Sequence, residues 1–147
     1  MTINLVPFIR QHAQDIIHNG LNNGAPPAPE YWQKWVGQLQ EEGLAFSGIE
    51  NGNLVGSGGI IRMWPGVGEA WFLGSWRLHD NRVAAARLVR RHLKKCMQEK
   101  SINRVQVAVL DDWPTGKRFV EFLGFTHEGL MRRYFDDVDY VRYARVL

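Results

Sequence analysis

The segment that most constrains the fold is a long amphipathic stretch at residues 82–100, set between two strand-like runs. Within it, Ala85, Leu88, Val89, His92, Leu93 and Cys96 recur at helical spacing on one face. Arg87, Arg90, Arg91, Lys94, Lys95 and Gln98 fall on the neighbouring face. Before it, residues 68–77 (Gly-Glu-Ala-Trp-Phe-Leu-Gly-Ser-Trp-Arg) read as a strand, and after it residues 103–110 alternate as another. A helix between two strands is a crossover, and crossovers join parallel strands. The runs at 68–77 and 103–110 are therefore predicted to be a parallel pair.

The other elements follow from shorter signals. Residues 2–6 read as a strand, and Pro7 as the start of a helix running to about Asn19, ended by Gly20 and Gly24. Gly24-Ala-Pro-Pro-Ala-Pro29 reads as a stiff exposed connector, and residues 29–42 as a second helix with Tyr31, Trp32, Trp35 and Leu39 at helical spacing. Strands at 44–50 and 53–62 meet through Asn51-Gly52, a hairpin signal because both residues tolerate positive φ. A helix fits 114–123, opened by Pro114 and closed by Gly124. Strands at 125–133 and 138–147 turn at Asp136-Asp137. The order β-α-α-β-β-β-α-β-α-β-β predicts a mixed α/β layer fold rather than a repeated βαβ one.

Composition narrows the class. A chain of 147 residues, 45% hydrophobic and 22% charged, fits one ordinary domain, 1–147, with its own core. No run approaches the roughly 18 apolar residues of a membrane span, and Met1-Thr-Ile-Asn-Leu-Val-Pro7 does not read as a secretory signal. The single cysteine, Cys96, has no disulfide or metal-cluster partner, which suits a cytoplasmic setting, and the five histidines show no metal-ligand spacing. The net charge is +3, and 13 of the 18 basic residues are Arg, a bias that suits anion contact. A charge of +3 is too small to argue for nucleic-acid binding, so that class ranks third.

The C-terminal third reads Phe122-Leu-Gly-Phe-Thr-His-Glu-Gly-Leu-Met-Arg-Arg-Tyr134 and then Asp139-Tyr-Val-Arg-Tyr-Ala-Arg145. With the order of elements, it resembles the GNAT superfamily of N-acetyltransferases over nearly the whole chain. Trp64-Pro-Gly-Val-Gly-Glu-Ala-Trp71 also resembles GNAT-like proteins of podophages, some of them virion proteins. The resemblance implies a GNAT-like fold with a central sheet of about six to seven strands, helices on both faces, and acetyl-CoA as cosubstrate. It implies that the strands at 68–77 and 103–110 splay apart around the pantetheine arm. The pyrophosphate would then meet the amides opening the next helix, near Arg82, as anions do at helix N-termini.

Residue by residue, the family loop Q/R-x-x-G-x-G/A falls on Asp80-Asn-Arg82-Val83-Ala84-Ala85, where only Ala85 meets the pattern. Asp80 stands at the Gln/Arg position and Val83 at the first Gly, so Arg77, Arg82 or Arg87 would supply the phosphate contacts. Glu69 occupies the place of the family's general base; as a residue it reads equally as a solvated strand-end carboxylate or a partner for an Arg. An amide within Leu73-Gly74-Ser75 would polarise the thioester carbonyl, although Gly74 also reads as making room for a neighbouring side chain. Val120 stands where many members have the acidic Tyr, and Trp113 where an Asn is usual, which leaves Tyr134 or Tyr140 as substitutes. The function expected is acetyl transfer to an amine, on a protein or peptide. The alternative is a binding or structural protein on the same fold, phage-encoded and directed at a host or virion protein. Exposed aromatics allow a homodimer.

Overall fold

The computed structural model describes residues 2–19 and 44–147. The seven strands are β1 (Asn4–Pro7), β2 (Ala45–Glu50), β3 (Asn53–Trp64), β4 (Val67–Gly74), β5 (Arg104–Leu110), β6 (Thr126–Phe135) and β7 (Val138–Val146). The helices are α1 (Arg10–Asn19), α2 (Leu78–Glu99) and α3 (Pro114–Phe122). The strands hydrogen-bond in the order β1-β2-β3-β4-β5-β7-β6, a mixed sheet in which β4 and β5 are parallel, as the crossover requires. The predicted helix at 29–42, with Trp32 and Trp35, and the Pro-rich stretch before it lie outside the described residues. Among those described, no helix is long and apolar enough to cross a membrane.

Two compact units divide the chain: Met1–Ile61 with Trp71–Ala85, and Arg62–Ala70 with Ala86–Leu147. In the first, β1, β2 and β3 form an antiparallel meander. The β2–β3 turn places Asn51 at φ 49° and Gly52 at φ 79°, the conformation that the Asn-Gly pair signals. One face of this sheet packs Ala45, Trp71 and Leu73 against Phe8, Ala13 and Ile16 at the start of α1. The Phe8 and Trp71 rings meet edge to face at 4.9 Å. Phe72, with its side chain on the opposite face, joins Ile3, Val55, Leu78 and Ala85 under the first turns of α2. The alternation along β4 thus buries both of its faces, which is why it reads as a continuous apolar run.

In the second unit, β5 pairs with β7 along its whole length, from Arg104 opposite Val146 to Leu110 opposite Tyr140. β6 flanks β7 with two register shifts, and the β6–β7 turn holds Asp136 at φ 51° and Asp137 at φ 62°. β4 enters this unit through Val67–Glu69, paired with Arg104–Gln106. Val105, Val109, Val141 and Tyr143 are buried here.

Three boundaries differ by three residues or more from the sequence reading. Pro7 ends β1 opposite Phe46 rather than opening a helix, and α1 starts at Arg10. A proline lacks the ladder donor but fits an edge strand, where β1 lies. β4 stops at Gly74, three residues short of the predicted end at 77. The long helix begins at Leu78 rather than Arg82, because buried Leu78 lies two turns before Ala85 and extends the apolar stripe backwards.

Candidate active site

Every polar group of Ser75 is spent on the joint between β4 and α2. Its N–H donates to Val55 O at 3.0 Å, and its hydroxyl lies 2.8 Å from Leu54 O and 3.0 Å from Val55 O. Its carbonyl accepts the Leu78 N–H at 3.0 Å, and its Oγ accepts the Arg77 N–H at 3.2 Å. Helix N-termini leave their first N–H groups without intrahelical partners. Ser75 closes those of Arg77 and Leu78, and among the described residues nothing closes those of His79 and Asp80. The side chain of Asn81, 8% exposed, donates to Arg77 O at 3.1 Å, while its Oδ1 meets no partner.

The Ser75 amide is therefore committed to β3 and is not free to face a thioester. Successive strand amides alternate in direction, so the Leu73 N–H also points to β3 and the Gly74 N–H points away from it. Leu73 belongs to the α1-side core, and Gly74 is buried. Arg77 stacks its guanidinium on the exposed Trp76 ring, 4.5 Å from the centroid. Because α2 starts early, Arg82, Val83, Ala84 and Ala85 lie inside the helix, where their amides are bonded to the preceding turn. This corrects the expectation of free amides near Arg82. Val83 is 55% exposed, Ala85 is core, and Arg87 is exposed.

In the second unit, Glu69 on β4 meets Arg142 on β7. Both carboxylate oxygens accept from Nη1 of Arg142 at 3.0 Å. The guanidinium reaches across β5, where the residue opposite Arg142 is the small Ala108. The two side chains are only about one-fifth exposed: 18% for Arg142 and 22% for Glu69. Arg142 also sits 5.8 Å from the centroid of the Tyr134 ring, which lies 5.6 Å from that of Tyr140. The two residues expected to carry catalysis, Glu69 and Tyr134, thus contact the same guanidinium. A neighbouring pair, Arg104 and Glu128, bonds bidentately at 2.9 and 2.6 Å; this bonding raises the Arg104 pKa and lowers that of Glu128. Sequence reasoning missed Arg142 because nothing local marks it: it lies 73 residues beyond its partner.

This arrangement of elements is the fold of the GNAT acetyltransferases. Ard1 from Thermoplasma volcanium superposes with a TM-score of 0.80 at 15% identity, over 100% of this chain and 99% of that one. A SpeG spermidine N-acetyltransferase chimera from Vibrio cholerae and hSSAT gives 0.77 at 16% identity, over 99% and 96%. An IAA acetyltransferase from Bacillus cereus gives 0.75 at 11% identity, over 99% and 100%. No family model matches the sequence, and no curated protein matches it either.

Proposed function

We propose that the protein is an N-acetyltransferase that moves the acetyl group of acetyl-CoA to an amine, on a protein or peptide. The observation that carries this reading is the Ser75 joint. It leaves the Gly74 amide turned away from β3 and, among the described residues, the amides of His79 and Asp80 open at the mouth of a 22-residue helix. A helix N-terminus attracts a diphosphate through its free N–H groups and dipole, and a strand amide suits a thioester carbonyl. These donors fit acetyl-CoA, with Arg77 and Arg82 flanking the phosphates. When bound, the cosubstrate supplies the activated acetyl group.

The protein's own residues then have the following roles. Glu69 takes the proton from the acceptor amine, directly or through one water. Arg142 holds both oxygens of that carboxylate in one orientation. The Gly74 N–H stabilises charge on the thioester oxygen. Tyr134, against Arg142, returns a proton to the departing thiolate.

A second reading, a binding protein on the same fold, draws on two observations. Asp80 places an exposed carboxylate in the first turn of α2, and Arg142 already occupies Glu69. One experiment separates them. The purified protein is incubated with acetyl-CoA and amine acceptors: an N-terminal peptide, a lysine peptide and spermidine. Glu69→Gln is expected to lower turnover by about 10²-fold or more while acetyl-CoA binding persists. Binding without turnover on any acceptor supports the second reading, and unchanged turnover in the variant removes Glu69 from the mechanism.

A further inference from the structure

We infer that the outer face of α2 from Arg87 to Lys95 is a docking surface for single-stranded nucleic acid, a role beyond acetyl transfer. Arg87, Arg90, Arg91, Lys94 and Lys95 are all exposed. They are spaced so that every neighbouring pair among them repels: 87 with 90 and 91, 90 with 94, and 91 with 94 and 95. A merely solvated helix face interleaves both signs. Among the described residues, the ion pair on this stretch is Lys95 with Glu99, at 3.9 Å and well exposed. The helix dipole does not account for the charges either, since its favourable effect is confined to the last turn, which holds no basic residue.

The crowding extends beyond the helix. Arg145 on β7 donates to Arg90 O at 3.4 Å and to Leu123 O at 3.0 Å. Burial, and then the charge of Arg90, depress the pKa of the Arg145 guanidinium. Arg145 thus adds a sixth cation beside the stripe, and a polyanion supplies the counter-charge that the exposed helix cations other than Lys95 lack on their own face among the described residues.

An aromatic ring makes the choice among polyanions. Phe122, at the end of α3, is 42% exposed, and the Arg90 guanidinium lies 5.5 Å from its ring centroid. Cations along a stripe beside an exposed ring are the elements with which proteins hold single strands, by phosphate contact and base stacking. A run of acidic residues has carboxylates for the cations but no rings to stack, whereas every nucleotide of a single strand brings both a phosphate and a base. The preponderance of arginine adds bidentate reach to phosphate. From residue 87 to residue 95 the stripe runs about 12 Å along the helix.

The test is fluorescence anisotropy with a labelled twelve-residue oligouridylate at 50 and 200 mM salt, without acetyl-CoA. Contact by four or five cations predicts a slope of about −3 in log K against log salt, a loss of roughly 60-fold over that range. Arg91→Glu/Lys94→Glu should weaken binding at least about tenfold and flatten the slope. Phe122→Ala should weaken binding about tenfold and leave the slope unchanged. All three side chains are exposed, and thermal melts of the variants confirm folding. The inference is overturned if the wild-type protein does not bind, if the charge reversals leave affinity and slope unchanged, or if labelled polyglutamate binds as tightly as the oligonucleotide. The last result would mark an acidic protein partner instead.

Discussion

His12 shows how one residue ties α1 to the sheet. Its Nδ1 accepts the backbone N–H of Ile9 at 3.3 Å, which makes that nitrogen an acceptor and the ring neutral. Ser47 Oγ, 2.8 Å away, must therefore donate to it, and Ser57 Oγ, 2.7 Å further, donates to Ser47. Both serines are essentially sealed from solvent, at 0% and 1% exposure. Burial lowers the His12 pKa below its ordinary 6.5, and nearby Asp15 opposes this more weakly. A proton on Nδ1 would break the bond from Ile9 and force the Ser47 and Ser57 hydroxyls to reverse their directions. The folded state thus binds this proton less readily than the unfolded chain. The contribution is full above about pH 6.5 and is lost as pH falls through the lower folded value. Melting temperature is expected to drop from pH 7 to 5, with a shallower drop in His12→Gln; equal slopes would refute the assignment. No local pattern signals this chain of bonds, because Ser47 and Ser57 lie 35 residues and more from His12. That Glu69 stands on a strand and could partner an arginine was legible; which arginine was not, because Arg142 lies 73 residues away.

At the scale of elements, patterns that repeat along the chain were legible and boundaries set by distant partners were not. The Asn51-Gly52 and Asp136-Asp137 turns adopt the positive φ their residues favour, and β5 alternates as read. The start of α2 was misplaced because Ser75 is locked by the Leu54 and Val55 carbonyls, some twenty residues earlier, a tertiary fact with no local signature. That shift moved the candidate phosphate donors from Arg82–Ala85 to His79 and Asp80. Close packing of β3 carries its own test. A Cβ on Gly59 would stand 2.6 Å from Leu44 O and 2.9 Å from both Ala45 Cα and Trp71 Nε1. Backbone cannot yield cheaply, so Gly59→Ala should cost about 1–3 kcal/mol in urea unfolding. A cost near zero would mean that β2 and β3 are not held at this spacing.

Across the whole molecule, the chain passes between its two units three times, at 61/62, 70/71 and 85/86. β3, β4 and α2 are the elements that run through those crossings. β4 carries Glu69 and Gly74, and α2 carries the basic stripe and, among the described residues, the open amides. The fold is shared with acetyltransferases at 11–16% identity in the three structures compared, so the fold persists where little sequence does. Fold alone does not assign chemistry. The central claim is that the rebuilt mouth of α2 still holds acetyl-CoA despite Asp80 and Val83. The most direct measurement is thermal unfolding with and without millimolar acetyl-CoA. Ligand at about 100 times its dissociation constant adds roughly 2.7 kcal/mol, or about 5–11 °C for a chain of this size. A shift of that order is the predicted result, and no shift at millimolar acetyl-CoA would contradict it.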